Sequence, residues 1–172
     1  MAEILMVIAP DRFRDEELFE TRRVLEEKGH RVTVAGHPTG LSRGTRGGEF
    51  LLEEDLYRQN PDLSDAIIFV GGGGAEAYFD NPVAHQIAGT MLESGKVTAA
   101  ICIAPVILAR AGLLSGRRAT VFPDGKEELI RAGALYQEEP VVTDGLLITA
   151  DGPGSAVEFA LAVSAALEGQ RT

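Results

Sequence analysis

Short apolar runs rich in isoleucine and valine recur along this chain, each separated from the next by a stretch with helical spacing. A strand buried on both faces of a parallel sheet reads as a continuous apolar run, and a helix covering that sheet reads as an apolar stripe on a polar background. The alternation predicts an α/β fold, a doubly wound sandwich with a mostly parallel sheet of five or six strands. The predicted strands are EILMVIA (3–9), RVTVAG (31–36), DAIIFVGGGG (65–74), VTAAIC (97–102), RATVF (118–122) and GLLITA (145–150). Helices are predicted over 15–29, 82–95, 104–114, 125–134 and 155–169. In the first of these, Leu18, Phe19, Val24 and Leu25 form the apolar stripe, Asp15, Glu16 and Glu17 occupy the positive N-terminal end, and Gly29 closes it. Between residues 37 and 49 the composition shifts to Gly, Ser, Thr and Arg, which predicts a surface loop or small hairpin. The length of 172 residues suits one domain, 1–172, with one substantial core.

Charge narrows the partners. With 26 acidic and 16 basic side chains the formal net charge is -10, which opposes binding to nucleic-acid phosphates and anionic membrane surfaces. A small neutral or cationic ligand, or another protein, is expected instead. No apolar run reaches membrane-spanning length, and the opening MAEILMVIAPD has no basic segment before its apolar run, so the chain reads as cytoplasmic. A single cysteine, Cys102, excludes an intramolecular disulfide, and no Cys/His spacing suits a structural zinc site. No metal and no cofactor is expected.

In doubly wound sheets ligands collect at the carboxyl ends of the strands. Three segments are predicted to meet there: the loop from Ala9 to Glu17, the glycines Gly71 to Gly74, and Cys102. Cys102 has a strand before it, a helix after it, and alanines two positions away on each side, Ala100 and Ala104. A nucleophile on a tight strand-to-helix turn needs small residues at those places, because the backbone doubles back. Helix amides aimed at the sulfur would lower the thiol pKa. A free cysteine is also among the most buried residue types, so the pattern by itself leaves simple packing open. The glycine run offers unhindered N–H groups for an oxyanion or a phosphate, or is a flexible strand exit; it lacks the spacing of nucleotide-binding loops. Glu17, by itself, is one of several acids in a helix first turn. His30 and His37 flank the second strand as ordinary surface residues, His85 lies in a helix, and none adjoins Cys102 in sequence.

Together RDEEL, GGGG, AAICIAP, LLSGRRAT and DGPGSAVEFALAVSAALEG, in this order along nearly the whole chain, resemble the DJ-one/PfpI superfamily. The resemblance implies a flavodoxin-like, class I glutamine-amidotransferase-like fold with a nucleophile elbow at Cys102. It implies Cys102 as the reactive thiol and Glu17 as its partner acid, which when protonated donates a hydrogen bond to the thiolate. Gly72, Gly73 and Ile103 are implied at an oxyanion, with Gly152 and Pro153 at the pocket border. It also implies a homodimer or larger homo-oligomer.

Two departures shape the expected activity. Ile103 stands where the protease branch has histidine after the nucleophile, and Phe122 where the deglycase branch often has one. Without a histidine, hydrolysis of peptide amides lacks its proton donor. A thiolate adds directly to a reactive carbonyl, so the expected activity is cysteine-dependent turnover of small carbonyls, of glyoxalase or deglycase kind. Redox sensing through oxidation of Cys102, and intracellular peptidase activity, are the alternatives.

Overall fold

The computed structural model describes residues 1–170, so the last two residues of the predicted domain lie outside the described residues. The chain runs β1 (Glu3–Val7), α1 (Asp15–Glu27), β2 (Arg31–Gly36), β3 (Gly40–Arg43), β4 (Glu49–Leu52), β5 (Glu54–Asp55), β6 (Ala66–Phe69) and α2 (Pro82–Glu93). It continues β7 (Val97–Ile101), α3 (Pro105–Arg110), β8 (Arg118–Ala119), α4 (Lys126–Arg131), β9 (Leu135–Tyr136), β10 (Val141–Asp144), β11 (Leu147–Ala150) and α5 (Ala156–Gly169). The main sheet has the order β10-β11-β7-β6-β1-β2-β5, parallel throughout except for the β10–β11 pair. From β1 the chain first builds outward to β2 and then returns to β6 on the other side of β1. That reversal opens a crevice at the carboxyl ends of β1 and β6.

The apolar run of β1 shows why alternation is absent from its sequence. Ile4, Met6 and Ile8 pack with Leu18, Leu25 and Phe159 on the α1 and α5 side, while Leu5, Val7 and Ala9 pack with Tyr78, Met91 and Ile107 on the other. Successive side chains point to opposite faces, and both faces are core.

The sheet has seven strands rather than five or six. The additions, β5 and β10, are short and partly polar edge strands, which carry no apolar run. The predicted strand 118–122 pairs only at Arg118–Ala119, with β9 and apart from the main sheet. Beyond it the backbone is engaged elsewhere: the Thr120 N–H donates to Thr149 Oγ1 at 2.9 Å, and the Phe122 N–H to the Cys102 carbonyl at 2.7 Å. The predicted helix 104–114 stops at Arg110, where the Leu113 N–H turns back to the Leu108 carbonyl around Gly112 at φ +77°.

The segment predicted as loop or hairpin is the antiparallel β3–β4 hairpin. It is fastened to the start of α1. The Arg12 N–H donates to the Arg43 carbonyl at 2.7 Å, and Asp15 accepts from the N–H groups of Arg46 and Gly48 at 2.8 and 2.7 Å.

His30 is buried, contrary to expectation. Its Nδ1 accepts the Ala2 N–H at 3.1 Å and its Nε2 lies 2.9 Å from Ser164 Oγ, so it ties the start of β1 to α5. His37 is half-buried against Asp55 and stacked on Tyr57. Among the described residues, no helix is long and apolar enough to cross a membrane.

Candidate functional site

Cys102 follows β7 directly and has φ +64°, in the left-handed region that a residue with a Cβ adopts only under constraint. Two hydrogen bonds impose it. The Cys102 N–H donates to the Ala150 carbonyl at 2.9 Å, and its own carbonyl accepts from Phe122. Ala100 and Ala104 are fully buried where the backbone doubles back, as the small-residue spacing predicts.

Glu17 reaches the elbow from the first turn of α1 and is completely buried. The Arg14 N–H donates to the Gly71 carbonyl at 3.0 Å, and the Gly71 N–H donates to Glu17 Oε1 at 2.8 Å. Gly71 is glycine because of this crowding: a Cβ there would stand 2.7 Å from both Cys102 Cβ and Glu17 Oε1. Among the described residues, Glu17 Oε2 is buried without a hydrogen-bond partner. Electrostatically Glu17 and the thiol act on each other as hydrogen-bonding neighbours. The carboxyl and the thiol stand close without an aligned hydrogen bond between them.

Burial lifts the Glu17 carboxyl from 4.5 to about 7, against the opposing pull of the Gly71 N–H, the thiol and the Arg14 charge. The thiol moves opposite to the sequence expectation. Burial, followed by the Glu17 charge, pushes it up to about 12, and the N–H groups of Ile103 and Gly72 offset this only in part. The amide contribution predicted from sequence is therefore present and outweighed. Protonation of Glu17 removes the repulsive charge, so the state of the acid modulates a thiol held up chiefly by burial.

A pocket of about 300 Å³ opens over the sulfur. Of the residues predicted for the site, Gly72, Gly73, Cys102, Ile103 and Pro153 line it. Glu17 lies behind the cysteine rather than on the wall. Gly152 is buried and stays off the lining. Arg14, Thr45, Phe122 and Asp124 complete the wall, and no histidine is on it. Sequence reasoning passed over Arg14, Thr45 and Asp124. Arg14 precedes three acids and reads as a helix start, while Thr45 comes from a hairpin whose docking has no local signal. Larger hollows beside Phe19 and beside Met1 hold no nucleophile and lie apart from this arrangement.

Sheet and site together define an α/β protein of the nucleophile-elbow class, with a strained cysteine in front of a buried glutamate. The chain belongs to the DJ-1/PfpI family, which it matches over residues 2–166. It is 36% identical over 150 residues to a deglycase of Pyrococcus abyssi, covering 87% of this chain and 90% of that protein. It is 30% identical over 165 residues to a glutathione-independent glyoxalase of Caenorhabditis elegans, covering 96% and 88%. Its fold is similar to the crystal structure of a ThiJ/PfpI domain protein from Brachyspira murdochii, with a TM-score of 0.94, 30% identity, and 97% and 96% of the two chains covered.

Proposed function

We propose that this protein is a cysteine-dependent enzyme acting on small reactive carbonyls, of the glyoxalase or deglycase kind. The observation that carries the reading is the pairing of Cys102, held at φ +64° under an open pocket, with a buried Glu17 whose carboxyl titrates near 7. An acid with that pKa is populated in both forms at neutral pH and moves protons in either direction. The similarity to proteins named deglycase and glyoxalase supports the same chemistry.

With an α-oxoaldehyde the reaction begins at the thiol. The thiol proton passes to Glu17, and the thiolate sulfur bonds to the aldehyde carbon while the carbonyl electron pair moves to oxygen. Glu17 returns the proton to that oxygen, leaving a hemithioacetal on Cys102. The glutamate carboxylate then takes the proton from the same carbon, giving an enediolate; the hydroxyl proton on that carbon passes to the oxygen of the neighbouring carbon, and Glu17 redelivers its own proton to that neighbouring carbon. The result is a thioester of a 2-hydroxy acid. Water hydrolyses it, releasing the acid and restoring the thiol. The N–H groups of Gly72 and Ile103 face the sulfur and suit the developing oxyanion.

The test is methylglyoxal turnover by the wild type and by Cys102→Ser. Loss of activity in the variant is expected; turnover that survives the substitution refutes the assignment.

A further inference from the structure

Building on the carbonyl reading, we propose that Arg14 selects substrates bearing a carboxylate on the carbon chain next to the reactive carbonyl. Arg14 stands at the head of α1, one helical turn before Glu17, and lines the same pocket as Cys102. Its backbone is fixed by the bond to Gly71. Its guanidinium is partly exposed and uses only Nε in the structure, on Glu16 Oε2 at 2.7 Å. Both Nη groups are without a hydrogen-bond partner among the described residues. A guanidinium anchored through Nε presents its two Nη groups as a planar fork, the geometry that matches a carboxylate.

The rest of the wall fits such a ligand. Ile103, Phe122 and Pro153 supply apolar surface for a short methylene chain between carbonyl and carboxylate. The negative groups around the site are Glu16, already bonded to Arg14, Glu17 behind the cysteine, and Asp124 on the wall. Two cations face these acids: Arg14 on the wall itself, and Arg12, whose Nη1 would stand 3.3 Å from a Cβ on Gly73 at the pocket edge; of the two, Arg14 is the one that lines the pocket beside Cys102. The formal net charge of -10, which by itself favours neutral or cationic ligands, is overridden locally.

Two matched pairs of probes test this. Iodoacetate and iodoacetamide attack the same sulfur and differ in charge; 4,5-dioxopentanoate and its methyl ester carry the same α-oxoaldehyde and differ in charge. Loss of a charge-assisted hydrogen bond should lower the anion-to-neutral ratio at least about tenfold in Arg14→Gln, for alkylation rate and for kcat/KM. Arg14→Lys should keep part of the ratio, and Glu16→Gln, which removes the negative charge beside the guanidinium while its amide oxygen can still accept from Nε, should raise it. Ratios in Arg14→Gln equal to those of the wild type overturn the proposal. Turnover of neither dioxo compound, with the alkylation ratio still dependent on Arg14, refutes the carbonyl reading and leaves anion selection standing.

Discussion

Replacing Glu17 by glutamine should make stability, relative to the wild type, rise as pH passes through neutral, while removing the group proposed to carry protons. The carboxyl has a folded-state pKa of about 7 against an ordinary 4.5, chiefly because burial penalises the charge. An acid raised in the folded state contributes fully while it is protonated, below the unfolded pKa. That contribution is lost as pH rises through the folded pKa, because the unfolded chain releases the proton more readily. A shift of this size, at about 1.4 kcal/mol per pKa unit, corresponds to about 3 kcal/mol lost between roughly pH 4 and pH 8. Glutamine has no such proton. Its Oε1 still accepts from Gly71, and any fixed cost of burying its amide is the same at both pH values. The stability difference, variant minus wild type, should therefore grow by about 3 kcal/mol across that range, equivalent to about 6–12 °C in Tm for a chain of this size. Chemical denaturation of both proteins at several pH values measures it. Parallel stability profiles for the two proteins would refute the claim that Glu17 is buried in both charge states.

Gly71→Ala should damage stability and turnover together. Its Cβ would meet Cys102 Cβ and Glu17 Oε1 at 2.7 Å and the Ile101 carbonyl at 2.8 Å, well inside ordinary contact. Overpacking of this kind costs about 1–3 kcal/mol, and displacing the reactive pair should lower kcat on the order of a hundredfold; thermal unfolding and methylglyoxal kinetics read both. The pH profile of Cys102 alkylation should move downward in Glu17→Gln from its high wild-type position, because the carboxylate that opposes thiol ionisation is gone. An unmoved profile would show that burial alone sets the thiol.

The sheet's centre was legible because its strands are buried on both faces, and doubly buried strands announce themselves as apolar runs. β1, β2, β6, β7 and β11 all fall within predicted runs. β5, which is Glu54–Asp55, and the two-residue β8 and β9 had no such signature, since their pairing depends on neighbours far along the chain. At the site, Cys102 was marked by the local pattern Ala-x-Cys-x-Ala. Glu17 was not: nothing in DEEL distinguishes its third acid from the others until the chain folds, when only Glu17 turns inward to Gly71 while Asp15 takes the hairpin. The thiol's electrostatics were misjudged for a related reason. A sequence shows which amides will stand near a sulfur, but the depth of its burial is a property of the assembled layers.

The β3–β4 hairpin forms no ladder with the seven-stranded sheet, yet it brings Thr45 to the pocket mouth through its ties to Arg12 and Asp15. Cys102 and Glu17 rest on the sheet ends and on α1, and the hairpin's tip reaches them only through its backbone bonds to Asp15 and the loop before α1. The tip between β3 and β4 is therefore exchangeable only in part: a Cβ at Gly44 or Gly48 would collide with the Asp15 carboxylate, whereas the side chains of Thr45 and Arg46 can change without touching that seat. Variation at Thr45 would remodel the mouth of the pocket while the elbow beneath it is inherited unchanged.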